Sequence, residues 1–239
     1  MVTALGPTDA RELHEHGFVV LPGPMSAAEM DRVSQAYDAI VASASADDVH
    51  VGSTTTRVTD FVNRGDEFDD LYVFAPLLDA CCRVIGRDFK LSSMHARTLR
   101  PHSPAQELHV DVRRDSPDWP LVGFILMIDE FHSDNGATRF VPGTHEKAEL
   151  PEDVMADRRK DYDGQVLATG PAGSLIVFNG SAWHGHTANR SDGARRSVQG
   201  AFIPRDGRSA TDFAGRIQPG TRARLGPIAQ YVLALRTVG

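Results

Sequence analysis

The chain has 239 residues, with 25 Lys and Arg against 32 Asp and Glu, a formal net charge of −7. That balance speaks against a nucleic-acid binder, which needs clustered cations for phosphates, and 41% hydrophobic with 24% charged residues is the composition of an ordinary soluble domain. The two cysteines, Cys81 and Cys82, are adjacent and have no other partner, so no disulfide framework is expected and a reducing, cytoplasmic setting is.

Residues 8–16, "TDARELHEH", open on a good N-cap and stop at Gly17, which predicts a short helix. "GFVVLPGP" follows as a short strand closed by Pro and Gly. Ser26 and Glu29 have capping-box spacing ahead of a helix whose Met30, Val33, Tyr37, Ile40 and Val41 share one face. Residues 47–65 are polar and turn-rich, and are expected to be a long mobile loop over a site. Residues 66–86 predict one or two helices ending at Gly86, with both cysteines buried in them.

After Gly86 the pattern changes to short apolar runs punctuated by Gly and Pro: "FKLSSMHARTL", "ELHVDV", "LVGFILMIDEF", "ATRFV", "GQVLAT", "GSLIVF", "AWHGHT" and "SVQGAFI". The fold class expected is mainly β with flanking helices, a sandwich or jelly-roll barrel of about eight strands. Residues 1–239 read as one domain: N-terminal helices over 8–86, a β-core over about 87–205 and a tail over 206–239 that packs back on the body. Residues 146–163 are charged and read as a surface insertion or small helix. No run of about 18 apolar residues predicts a membrane span, and the first residues do not read as a signal peptide.

"ELHVDV" carries the chemistry. Leu108, Val110 and Val112 alternate with Glu107, His109 and Asp111, so His109 and Asp111 point the same way in a strand. The pair is either a polar outer face or two thirds of a metal site. "AWHGHT" offers His184 and His186 as a third ligand. Two histidines and one carboxylate make the facial triad of non-haem Fe(II) oxygenases, with zinc as the competing metal. His132 and Asp134 have the same spacing but fall in a turn. A 2-oxo dicarboxylate would need an arginine for its distal end, and Arg190, Arg195 and Arg196 all follow His184.

Taken together, "GFVVLPG", "HVD" at 109–111, "NGATRFVPGTHE" at 135–146 and "WHGHTANRSDGARR" at 183–196 resemble the phytanoyl-CoA dioxygenase family, over roughly residues 10–205. The resemblance implies a double-stranded β-helix, or jelly roll, that binds Fe(II) and 2-oxoglutarate and consumes O2. By position it implies His109, Asp111 and His184 as iron ligands, Arg195 as the co-substrate anchor, and a structural role for His145. Looser alignment adds Arg97 and Ile125 to the co-substrate site. The chain departs from the pattern at His186, where a small hydroxyl residue is frequent and a co-substrate contact is expected, and at Thr138-Arg139, where an apolar residue is usual. Asp111 keeps the carboxylate that halogenating relatives lose, so the resemblance is to a hydroxylase, with release of succinate and CO2.

The substrate is expected to be a small polar molecule such as a natural-product intermediate. Arg113, which would share a face with His109 and Asp111 if the strand continued, and Arg139 are the expected substrate contacts. No protein partner is implied. The competing functions are a cupin-like metal lyase or isomerase that does not use 2-oxoglutarate, and a jelly-roll binding module without catalysis.

Overall fold

The computed structural model describes residues 4–235. In chain order it holds α1 (Pro7–His16), β1 (Phe18–Pro22), α2 (Met30–Ala42), β2 (Val49–Val51), β3 (Thr55–Val58), α3 (Ala75–Ile85), β4 (Phe89–Leu99), β5 (Val122–Met127) and β6 (Thr138–Val141). There follow α4 (Pro151–Val154), β7 (Val166–Ala168), β8 (Ser174–Asn179), β9 (Trp183–His186), β10 (Arg195–Pro204) and three short helices, α5 (Phe213–Arg216), α6 (Pro219–Arg224) and α7 (Pro227–Val232). Helices α1 and α3 stop at Gly17 (φ 83°) and Gly86 (φ 67°), both left-handed, the conformation glycine takes without a Cβ clash.

Two antiparallel sheets face each other. The larger has the order β1-β8-β5-β10-β4-β3-β2 and the smaller β7-β6-β9. Period-2 alternation gives the larger sheet two different faces. Phe124, Leu126, Val177, Val198 and Ala96 point outward into one apolar cluster with Val33, Leu71, Leu77, Ala80 and Val232, so the helices cover that face. Ile125, Met127, Ile176 and Phe178 point inward and pack with Phe140 and Ala182 between the sheets. This is the jelly-roll architecture.

Three expectations differ from what is observed. Residues 47–65 are not a structureless lid. They fold into the β2–β3 hairpin, which pairs along β4 (Thr55 with Leu99, Arg57 with Arg97) and extends the larger sheet. Its strands are only three and four residues long, too short for alternation to register. Residues 107–112 are not a regular strand. They run extended past β9, with one bridge between His109 and His184 (N–H to O, 3.0 Å each way) and Gln106 N donating to His186 O at 2.9 Å. Gly185 permits that approach, since a Cβ there would lie 3.0 Å from Glu107 O. Finally, Cys81 is buried but Cys82 is exposed, because neighbours on a helix face about 100° apart. Among the described residues no helix is long and apolar enough to cross a membrane.

Candidate active site

A cavity of about 280 Å³ opens between the two sheets, and its lining includes His109, Asp111, His184, His186, Arg97, Ile125 and Arg195. The ligating atoms of His109, Asp111 and His184 all lie within 4.8 Å of one another. Asp111 Oδ1 is 3.7 Å from Nε2 of each imidazole. An ion with bonds of about 2.1 Å can span donors up to about 4 Å apart, so the carboxylate is in range of both rings.

The tautomers suit this. His109 Nδ1–H donates to Glu107 O and His184 Nδ1–H to Ala182 O, each at 3.0 Å, two residues back along its own chain. Each Nε2 is thereby left with its lone pair toward Asp111. Burial pushes the His109 pKa down, the nearby His184 adds to the effect and Asp111 opposes it, so the ring is a neutral donor. Two imidazoles and one carboxylate form a donor set for a divalent first-row ion.

Arg195 sits deeper. Its side chain is among the largest fully buried in the molecule. Nε and Nη1 have no partner among the described residues, and the guanidinium lies 4.1 Å over the Phe131 ring. Burial pushes its pKa down to about 9, and Arg97 pushes the same way. A buried cation with idle donors and, among the described residues, no carboxylate in ion-pair contact is electrostatically uncompensated, which suits the site to receiving an anion. Alternation on β10 decides which arginine this is. Arg195 faces inward, whereas Arg196 faces outward onto Asp129 (2.6 Å) and Asp38 (2.7 Å), and Arg190 is exposed.

His186 is 3% exposed. Its Nδ1–H donates to Thr187 O at 2.8 Å, and Nε2 accepts from the Thr54 hydroxyl at 3.2 Å. Burial pushes its pKa down to about 3. Both nitrogens are engaged, so His186 borders the cavity and is held by the hairpin instead of joining the three ligand atoms.

The two expected substrate contacts lie elsewhere. The chain turns after Val112, and Arg113 pairs with Glu152 at 3.0 Å beside a separate surface groove. Arg139 has a side-chain exposure of 0% and donates to the carbonyls of Gln106, Arg158 and Lys160 at 2.7–2.9 Å. It braces the segment 106–109 against residues 158–160 and has no path to the cavity's contents. His145 donates from Nε2 to His14 O at 3.0 Å and ties the end of α1 to the loop after β6.

A model of the phytanoyl-CoA dioxygenase (PhyH) family matches residues 13–197. The chain belongs to the phytanoyl-CoA dioxygenase family. Among curated relatives, dioxygenase aneA of Aspergillus aculeatus is 29% identical over 62% of this chain and 52% of its own length. Dioxygenase trt7 of Aspergillus terreus is 29% identical over 79% of this chain and 68% of its own. The match thus spans about half to two thirds of these relatives. Among solved structures, HygX from Streptomyces hygroscopicus, determined with nickel and 2-oxoglutarate bound, superposes with a TM-score of 0.71 at 15% identity, over 86% of this chain and 90% of that one. That likeness is one of fold.

The sequence had marked Thr138 as a polar departure on a pocket-lining strand, and it does border the cavity; Arg57, His95, Gln106 and Gln199, which border it too, had not been singled out. His95 and Gln199 pair across β4 and β10, as do Arg97 and Ser197. Once Arg195 is taken as inward, Ser197 and Gln199 follow from period 2 alone. Arg57 carried no such signal, because nothing in the sequence shows that β3 pairs with β4.

Proposed function

We propose that the chain is an Fe(II)- and 2-oxoglutarate-dependent dioxygenase that hydroxylates a C–H bond of a small molecule, releasing succinate and CO2. The observation that carries this is the pairing, in one cavity, of the His109–Asp111–His184 donor set with the unpartnered Arg195 guanidinium. A metal lyase or isomerase on this fold would have no need of a buried arginine held without an anion.

His109, Asp111 and His184 would hold the iron, and three protein ligands leave positions for a chelating co-substrate. Arg195 would receive the distal carboxylate of 2-oxoglutarate through its idle N–H groups, in a fork that suits a carboxylate. Arg97 and Ile125 border the same space, and His186, fixed by Thr54, narrows it. Phe140 and Phe178 pack against the His184 ring, at 5.5 and 4.7 Å between centroids, and screen that side from water. When bound, iron with 2-oxoglutarate and O2 supplies the oxidation, and the protein supplies position and a dry wall. The whole chain forms the catalytic unit in this reading, since α2, α3, the larger sheet and α7 contribute to one apolar cluster. The free thiols of Cys81 and Cys82 fit a reducing cytoplasm.

The test is Asp111→Ala. This side chain faces the cavity and not the core, so the variant is expected to keep its circular dichroism and melting profile but to lose succinate production from 2-oxoglutarate under air. Succinate formed at the wild-type rate would remove Asp111 from the metal site and favour the lyase or binding-module reading.

A further inference from the structure

A groove of about 470 Å³, bordered by Gly52, Thr54, Glu107 and Arg158, adjoins the cavity and shares Arg57, Arg97, Gln106 and His109 with it. On its larger-sheet wall, one row of side chains runs across three strands: His50 opposite Arg57, and Arg57 opposite Arg97. Directly opposed residues on one face have Cβ atoms about 5 Å apart, and like charges there repel. Among the described residues no carboxylate forms an ion pair with Arg57 or Arg97, although the field of Asp111 partly offsets the repulsion at Arg97. Arg97 donates only to the neutral amide oxygens of Gln199 (3.0 Å) and Gln106 (3.2 Å). Arg57 is exposed, and its side chain has no hydrogen-bond or ion-pair partner among the described residues. The nearest acid of the groove, Glu107, is held by Arg158 and Arg159. Arg57 and Arg97 also push on each other, which adds to the burial that draws the Arg97 pKa down to about 10.

The charge of the loaded centre sharpens the point. Asp111 is the single carboxylate among the cavity-lining residues described. A divalent ion and Arg195 together would be matched by Asp111 and the two carboxylates of 2-oxoglutarate. Among the described lining residues no unpaired carboxylate then remains for Arg57 and Arg97, which line both the groove and the cavity, as His109 does.

From this we infer that the primary substrate is an anion, bearing a carboxylate or a phosphate, and that Arg57, backed by Arg97, is its recognition site at the cavity mouth. The inference rests on the function proposed above and adds the substrate's charge to it. Arg97 is held in place by two glutamines, so its fork is pre-set. Arg57 on the hairpin is the adjustable member, and it selects which molecules reach the metal.

The experiment uses the whole chain loaded with Mn(II) and one equivalent of 2-oxoglutarate under argon, with proton line broadening in nuclear magnetic resonance as the readout. Benzoate, phenyl phosphate and benzamide are added in turn. Broadening of one or both anions, with benzamide left sharp, is the expected result, and the broadened anion identifies the group. Arg57→Gln is expected to weaken that binding by about tenfold, the worth of one charge-assisted hydrogen bond, while the lines of 2-oxoglutarate stay as broad as in the wild type. Equal broadening of benzamide, broadening of none of the three, or an anion preference that survives Arg57→Gln would overturn the inference. If 2-oxoglutarate itself stays sharp, the proposed function fails first, and the substrate's charge falls with it.

Discussion

Replacing Arg195 by Met separates two quantities that usually move together. In the protein without co-substrate, the guanidinium is a buried charge with two idle donor atoms. Burial moves its pKa from 12.5 down to about 9, which at 1.36 kcal/mol per decade disfavours the charged form by roughly 5 kcal/mol. The Phe131 ring offsets part of that. An unbranched apolar side chain of similar length removes the penalty and keeps most of the packing, so the empty variant is expected to melt at or above the wild-type temperature. Co-substrate binding should move the other way. Two charge-assisted hydrogen bonds to a carboxylate are worth about 3 kcal/mol or more, a factor of about 100 in affinity. Calorimetry of the empty protein gives the first number. Anaerobic titration of the Fe(II)-loaded protein with 2-oxoglutarate, followed by visible absorption of the chelate, gives the second. An affinity within about threefold of the wild type would refute the assignment of Arg195, whatever the melting temperature does.

Two further outcomes follow from the same geometry. Burial pushes His95 and His186 down to about 3, and His109 is also lowered. These rings stay neutral in the folded state while their unfolded counterparts protonate near pH 6.5, so the unfolded state binds more protons and stability falls as pH drops below that value. Each ring contributes up to about 1.4 kcal/mol between pH 7.5 and 5.5, and about 3 kcal/mol in total after allowing for partial solvation of His95 and His109. Urea unfolding of metal-free protein at the two pH values checks this, and a flat profile counts against three neutral buried rings. Arg139→Met should strand the carbonyls that the guanidinium now holds. The expected loss is about 3 kcal/mol, or a fall in melting temperature of about 6–12 °C; an unchanged melting temperature would show that Arg139 is not a brace.

The position of the donor set was legible because its signal is local. His109 and Asp111 are two residues apart, so any extended backbone aims them together, and this held although 107–112 makes only one bridge and no regular strand. The strands from Phe89 onward were legible for the same reason, as short apolar runs cut by turn residues. The β2–β3 hairpin was not, since a three-residue strand on a sheet edge has no periodicity to display. Arg113 and Arg139 show the limit from the other side. Both stand near the motif in sequence, yet a turn after Val112 carries one away, and the other faces the carbonyls of residues 158–160.

By itself, then, the sequence determined the architecture and the shared direction of His109 and Asp111, and the family resemblance added His184 as the third candidate donor and Arg195 as the inward arginine of the Arg195-Arg196 pair. These are matters of residue type and short-range spacing, which the backbone transmits directly. Only the tertiary structure decided that Arg195 makes no ion pair among the described residues, that His186 is taken up by Thr54, and that Arg57 stands opposite Arg97 at the edge of the cavity. Each of these depends on which distant strand lies alongside, and on what is missing from the space between. A pattern of side chains along one strand says nothing about its neighbours until sheet pairing has fixed them.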